Sequence, residues 1–244
     1  MPIQHKFYHK DWGNGFATER AILTTTPYDP EVLILGTFNP TMPGNMADFF
    51  YGRNYFWPAF ANLFSHGQPL LLSRRDHQAV PEPMLQHIFD LCELLRLTFA
   101  DLVAAILHHD NPVFEVIPPN QVLFDGNFMN IIQDQGLHAL DLVHQTDWNT
   151  DAVIDYLCHT SSIHTIYFTR QPTGIWEAPW QAIRNHPLLS HRTFTHIYTP
   201  SGRALRGQPR MHALLHHWVH HIGPNFGRLQ PAWLEHHQVD PNAF

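Results

Sequence analysis

Cysteine is almost absent from this chain of 244 residues, which contains only Cys92 and Cys158. Two thiols without CxxC spacing exclude a four-cysteine zinc or iron–sulfur site and a disulfide framework. The chain also lacks an apolar run near the roughly 18 residues that a membrane span needs, and its first residues contain no apolar signal core. We therefore expect a cytoplasmic protein that has no membrane partner and two inert core thiols.

Acidic residues are missing from one long segment. The chain has a formal net charge of −7, yet residues 178–234 contain no Asp or Glu. This segment carries +6 and the remainder −13, because it holds Arg184, Arg192, Arg203, Arg206, Arg210 and Arg228. Such asymmetry favours one basic face on an acidic body, as phosphate binding requires. Chance clustering in an Arg-poor chain is the alternative.

The apolar pattern predicts alternating strands and helices. Strong β-rich runs at 31–37, 163–169 and 193–199 predict strands, and weaker candidates lie at 98–103 and 113–117. Apolar spacing predicts helices at 82–95, at 150–158 with Thr150 as N-cap, at 209–222, and from Asn54 onward. We expect one domain of the α/β class, built as a three-layer α/β/α sandwich around a small, mainly parallel sheet. Segments 65–81 and 104–148 are interpreted as insertions, and 223–244 as a surface tail.

Polar groups follow two of the predicted strands. After Gly36 come Phe38, Asn39 and Pro40, and then an aromatic cluster at 49–57. An amide at a strand's carboxyl end can orient a water or pair with a base edge, and rings can stack on a flat heterocycle. An Asx turn followed by core aromatics is the alternative interpretation.

The second constellation is "IYTPSGRALRG" at 197–207. A strand again ends at a proline-containing turn, which is followed by Ser201, Gly202, Arg203 and Arg206. A hydroxyl, backbone N–H groups and guanidinium groups at this position can bind a phosphodiester. A generic turn is the alternative, but the location inside the acid-free segment favours phosphate contact.

Together, these two motifs resemble those of the uracil-DNA glycosylase superfamily, closest to the mismatch-specific uracil/thymine and hypoxanthine-type branches. The resemblance covers residues 31–60 and 163–207. It implies a uracil-DNA glycosylase-like fold, a partner DNA with a damaged or mispaired base, a monomer, and no cofactor or metal. It also implies that the extruded base is released by hydrolysis of its glycosidic bond.

The resemblance assigns roles to particular residues. Asn39 would orient the attacking water, and Phe50, or else Phe49 or Tyr51, would stack on the base. Ser201 would contact a phosphate, and Arg203 would fall at the wedge that fills the base stack. Thr199 stands where several branches carry a catalytic histidine, and Thr169-Arg170 where some carry a base-reading Asn. The remaining candidates are Phe38 and Asn54 for the base, and Gly202 and Arg206 for DNA.

Two alternatives remain open at this point. One is a module on the same fold that binds nucleic acid or a nucleobase without cleaving it. The other is a metallohydrolase that uses some of the 21 histidines, because His212, His216 and His220 recur at i, i+4, a spacing that can chelate a metal. Because these histidines lie off the apolar stripe, we interpret them as a solvated polar face.

Overall fold

The structure is a computed structural model. It describes residues 2–42, 45–52, 55–64, 84–107, 114–117, 121–124, 132, 136–198, 210–220, 229 and 231–240.

The strands are β1 Ile3–Gln4, β2 His9–Gly13, β3 Phe16–Glu19, β4 Ile22–Thr25, β5 Val32–Gly36, β6 Leu97–Asp101, β7 Val103–Ile106, β8 Phe114–Ile117, β9 Gln121–Phe124, β10 Thr146–Trp148, β11 Thr165–Phe168 and β12 Thr193–His196. The α-helices are α1 Phe56–Leu63, α2 Leu85–Leu95, α3 Leu137–Leu142, α4 Thr150–His159, α5 Glu177–Arg184, α6 Arg210–His220 and α7 Pro231–His236. Across the described parts of the chain, no helix has the length and apolar character to cross a membrane. Alternating helices and strands confirm the α/β class.

The main sheet is larger and more mixed than the sequence predicts. Its strand order is β12-β11-β5-β6-β4-β3-β2. The pairs from β12 to β6 are parallel, whereas β4, β3 and β2 continue the sheet with antiparallel pairs. The expectation of a small, mainly parallel sheet is therefore wrong.

The three extra strands come from the N-terminal residues, and the apolar pattern is weakest in the outermost of them, β2. Four of the five residues of β2 are exposed, so this strand has no apolar face. The turn between β2 and β3 places Gly13, Asn14 and Gly15 at φ of 73°, 53° and 79°. Positive φ angles are typical of tight hairpin turns, and the pair Asn14-Gly15 is a sequence that such turns favour.

Helices pack on both faces of the sheet. Val32 and Ile34 of β5 belong to one core cluster, which also contains buried residues of α1, α2 and α6. The alternate residues Leu33 and Leu35 belong to a second cluster with buried residues of α4 and α5. Since side chains alternate across a strand, β5 lies between two apolar layers, which explains why its sequence is a continuous apolar run.

Part of the segment predicted as an irregular insertion is regular. A second sheet has the order β1-β7-β10, so residues 103–106 and 146–148 pair with each other through antiparallel bonds. The short β1 pairs with β7, with Ile3 opposite Ile106. This pairing places the N-terminal residues beside the carboxyl end of β6. Segment 65–81 and residues 241–244 lie outside the described residues.

The helix predictions differ mainly at their ends. Helix α4 begins at Thr150, so Thr150 is its first residue and Asn149 takes the N-cap position. Helix α1 follows the aromatic loop as expected, with Pro58 in its first turn, where no intrahelical N–H bond is lost.

Candidate functional site

Three neighbouring strands end side by side where the strand order reverses. Gly36 at the end of β5 lies opposite Asp101 at the end of β6. On the other side, Leu35 lies opposite Phe168 of β11, and the N–H of Thr169 donates to the Leu35 carbonyl at 2.9 Å. Asp101, Gly36 and Thr169 therefore form one row. Ligands of open α/β sheets bind at such carboxyl ends, so this row marks the candidate site.

Gly36 lets two side chains meet over the end of β5. A Cβ atom at this position would lie 2.0 Å from Oδ1 of Asp101 and 2.7 Å from the hydroxyl oxygen of Tyr51. Both values are far below a van der Waals contact. The absence of a side chain at Gly36 is what allows the carboxylate and the phenol to approach the same point.

A histidine from the N-terminal segment holds the carboxylate of Asp101. Nε2 of His5 lies 2.6 Å from Oδ2 of Asp101, and the two side chains are 0% and 7% exposed. The backbone N–H of Phe7 donates to Nδ1 of His5 at 2.9 Å. Nδ1 therefore carries a lone pair and Nε2 the proton, which it donates to the carboxylate.

The N-terminal segment is fastened to the loop that follows β5. The N–H of Lys6 donates to the carbonyl of Asn39 at 2.7 Å, and the N–H of Thr41 donates to the carbonyl of Gln4 at 2.9 Å. His5 forms a bridge with Pro40. This pairing brings His5 and the loop containing Asn39 to the same end of the sheet.

The side chain of Asn39 is half-buried and engaged on one side. Nδ2 of Asn45 donates to Oδ1 of Asn39 at 2.5 Å and to the carbonyl of Pro40 at 2.8 Å. Because the Pro40 carbonyl is only an acceptor, the Asn45 atom between them must be the NH2 group, and Asn39 must turn its oxygen toward it. Within the described residues, Nδ2 of Asn39 has no hydrogen-bond partner.

The hydroxyls of Tyr51 and Thr169 form a chain beside Gly36. Their oxygens are 3.0 Å apart, and Thr169 donates to the Leu35 carbonyl at 3.2 Å. Since a hydroxyl has one proton, Thr169 accepts from Tyr51. Tyr51 has a φ of 57° and its ring stacks on Phe56 with centroids 5.0 Å apart. A tyrosine in this left-handed conformation is unusual, and such residues concentrate at functional sites.

Phe50 lies in the core rather than on an open surface. It is 2% exposed. Its ring stacks on Phe99 with centroids 5.5 Å apart and on His5 at 5.9 Å; Phe49 is also buried, at 0%. This packing covers the Phe50 ring, so it gives no support to Phe50 as the ring that stacks on a base. Tyr51, which is half-buried, is the better candidate of the three.

Phe38 and Arg170 flank the row. Phe38 is half-buried, with its ring centroid 6.2 Å from that of His5. Arg170 follows Thr169, and its guanidinium carbon lies 5.2 Å from the centre of the Trp176 ring. This cation–π contact anchors Arg170 at the edge of the site.

The remaining site candidates lie outside the described residues. They are Asn54, Thr199, Ser201, Gly202, Arg203 and Arg206. Strand β12, which leads into most of them, ends beside the row, because the N–H of Ile197 donates to the Phe168 carbonyl at 2.7 Å. The structure thus describes one half of the predicted site.

The histidine-rich helix makes ring contacts and shows no metal cluster in its described part. The rings of His216 and His220 have centroids 4.7 Å apart, and His217 packs against Tyr198 at 4.1 Å. No group of three or more His, Cys, Asp or Glu side chains among the described residues is placed to share a metal ion.

The shifted pKa values belong to the interior of the fold, away from this row. Burial raises the pKa of Tyr28 and of Cys92, and also that of Tyr156. Tyr28 donates to the carbonyl of Leu97 at 2.6 Å, at the opposite end of β6 from Asp101. Burial also lowers the pKa of Arg192. These groups stabilise packing and do not face the candidate site.

Sequence reasoning missed Asp101 and His5. The signal for Asp101 was present, since an acid ends the apolar run "LTFA" just as Asn39 follows "VLILG". His5 gave no signal, because it reaches Asp101 across 96 residues of chain.

Comparison of the chain with protein-family models, with curated proteins and with solved structures gave no match.

Proposed function

We propose that this protein hydrolyses the N-glycosidic bond of a deaminated or mispaired base that has been flipped out of DNA. The observation that carries the proposal is the row at the strand ends. A carboxylate and two hydroxyls meet where the strand order reverses, around Gly36, and the loop that carries Asn39 pairs with the segment that carries His5. Half-buried Phe38 and Tyr51 border them. Such a site suits a flat, polar heterocycle that must be held and turned.

The reaction depends on positioning the attacking water more than on a general base that removes its proton. Water adds its oxygen to the sugar carbon as the bond to the base nitrogen breaks, and its proton leaves toward the departing base. The transition state has cationic sugar character. Oδ1 of Asn39 has a second lone pair beyond the one that Asn45 uses, and this lone pair can accept from the attacking water.

The fold supports the proposal through its parallel half. Strands β12, β11, β5 and β6 are parallel, with helices on both faces. Parallel strands between two helix layers are compatible with the proposed relation to uracil-DNA glycosylases. In this proposal the antiparallel strands β4, β3 and β2 are an extension of that core.

An assay of base release tests the proposal. Oligonucleotides that carry uracil or hypoxanthine should lose the base with the wild-type protein. Asn39→Ala should slow release by roughly 100- to 1,000-fold, the usual cost of one positioned polar group. Asn185→Ala, at an exposed asparagine that follows α5, is the matched control and should keep wild-type rates. Equal rates for Asn39→Ala and wild type would remove Asn39 from the mechanism.

One observation favours a binding module instead. Oδ1 of Asn39 already accepts from Asn45, so the amide is partly committed before any substrate arrives. A protein that binds these oligonucleotides but releases no base, even at high protein concentration, would support the binding module over the hydrolase.

A further inference from the structure

Asp101 keeps one carboxylate oxygen for a ligand. Oδ2 accepts from His5, while Oδ1 lies at the position that a Gly36 side chain would occupy. The Asp101 side chain is 7% exposed, so it lines the end of the sheet without being in open solvent. Oδ1 is therefore an acceptor at the end of the sheet to which a ligand can donate a hydrogen bond.

Oδ1 of Asp101 and the hydroxyl of Tyr51 both lie near the position that a Gly36 side chain would occupy. Tyr51 donates its proton to Thr169, and Thr169 donates to the Leu35 carbonyl. His5 donates its Nε2 proton to Oδ2 of Asp101. Oδ1 of Asp101 can only accept. It therefore favours a ligand edge that donates and disfavours one that presents a bare carbonyl or ring-nitrogen lone pair.

We propose that the His5–Asp101 pair makes this site selective for a base that presents an N–H group to Asp101. This inference rests on the proposed function. Uracil offers the N–H at its ring position 3 and hypoxanthine the N–H at position 1. Ethenocytosine has no N–H on its pairing edge, because the etheno bridge occupies both nitrogens, and it should be a poor substrate. Acceptance of a base N–H by a carboxylate is a known mode of base recognition.

Matched bases that differ by one methyl group test the inference. Oligonucleotides with uracil or N3-methyluracil, and with hypoxanthine or N1-methylhypoxanthine, are compared for base release. The methylated member of each pair should react roughly 10- to 100-fold more slowly, the discrimination typical of one base contact.

Asp101→Asn separates hydrogen bonding from steric exclusion. An amide can turn its NH2 toward the carbonyls beside the methyl group, so the preference for the unmethylated base should fall about tenfold. If exclusion were steric alone, the preference would stay unchanged, and the inference would be overturned. Asp90→Asn, at an exposed acid on α2, should keep the wild-type preference.

His5 is a positioning residue in this scheme. Its replacement by Gln keeps an acceptor for the Phe7 N–H and a donor for Asp101, whereas replacement by Phe removes both. His5→Gln should retain the preference for the unmethylated base, and His5→Phe should lose most of it. A purely structural role would lower stability in both variants without changing the preference.

A binding measurement separates this inference from the proposed hydrolysis. 2′-Fluoro nucleotides slow glycosidic cleavage, so oligonucleotides that contain them report affinity alone. Tighter binding of the unmethylated member, with no release of any natural base, would keep the inference and overturn the hydrolase. Release of the methylated and unmethylated bases at equal rates would support the hydrolase and overturn the inference. Equal affinity for both members, or no affinity for either, would overturn the inference.

Discussion

Two paired acids, Asp147 and Asp101, differ in how many of their carboxylate oxygens accept a hydrogen bond from the protein. Asp147 accepts from Nη2 of Arg20 with both oxygens, at 3.0 and 3.2 Å. Those side chains are 26% and 34% exposed. Asp101, by contrast, is 7% exposed and accepts from His5 through one oxygen. In the deeper pair one carboxylate oxygen accepts from the protein, whereas in the outer pair both oxygens do.

The partners of each pair explain this difference. Arg20 also donates to the hydroxyl of Tyr8 at 3.0 Å and to Asn149 at 3.4 Å, so its donors tie the N-terminal hairpin to β10. His5 has one proton to give and gives it to Asp101. An acid whose two oxygens both accept from the protein stabilises the local packing. An acid that accepts through one oxygen still has an acceptor for a ligand.

Gly36→Ala should break the deeper pair and have the largest effect. The new methyl group would displace Oδ1 of Asp101 and press on Tyr51. We expect a loss of about 3 kcal/mol in the free energy of unfolding, toward the upper end of what overpacking costs, together with loss of base release. Urea denaturation measures the first. In an Asp101→Ala background the same substitution should cost less, and an unchanged cost would contradict the assigned clash.

Removing each acid compares the two pairs directly. Asp101→Ala leaves a buried His5 proton without an acceptor and should cost about 2 kcal/mol. Asp147→Ala exposes one side of a partly solvated Arg20 and should cost less than about 1 kcal/mol, since solvent screens that pair. Thermal and urea unfolding check both. Equal losses in the free energy of unfolding would show that burial of a pair does not determine its contribution to stability.

Two tyrosine hydroxyls give the smallest and most selective test. Tyr51→Phe removes the hydroxyl beside Asp101, and Tyr8→Phe removes the one that accepts from Arg20. Each should change the free energy of unfolding by less than about 1.5 kcal/mol, the net value of one hydrogen bond. Only Tyr51→Phe should slow base release, by about tenfold. A rate change in Tyr8→Phe of the same size would contradict the separation of site from scaffold.

The sequence predicted the parallel strands well and the antiparallel ones poorly. Strands β5, β11 and β12 stand inside the predicted runs. Strands β5 and β11 are buried along their whole length, and strands covered on both faces are apolar throughout. Strand β2 is exposed, so apolar periodicity could not reveal it. The loop after β5 and its amide were also foreseen, as far as the described residues reach.

Side-chain roles were harder to predict than strand positions. In "FFYG" the spacing does not tell which ring enters the core, and the backbone decides it: Tyr51 adopts positive φ while Phe49 and Phe50 are buried. Asp101 becomes part of the site only through its register with Gly36. Register and long-range pairing follow from the whole fold rather than from local pattern, so local sequence could not supply them.

The bridge from His5 to Asp101 has a consequence for synthesis on the ribosome. Residues 3–5 leave the ribosome about a hundred residues before their partners Ala104, Ala105 and Ile106. Their pairing with β7 must therefore wait until β7 has emerged, and closing so long a loop is slow. A nascent chain halted before β7 emerges would hold Asn39 and Gly36 but lack a properly oriented Asp101. Competence for the chemistry would then appear abruptly with chain length, which ribosome-bound chains of increasing length could time.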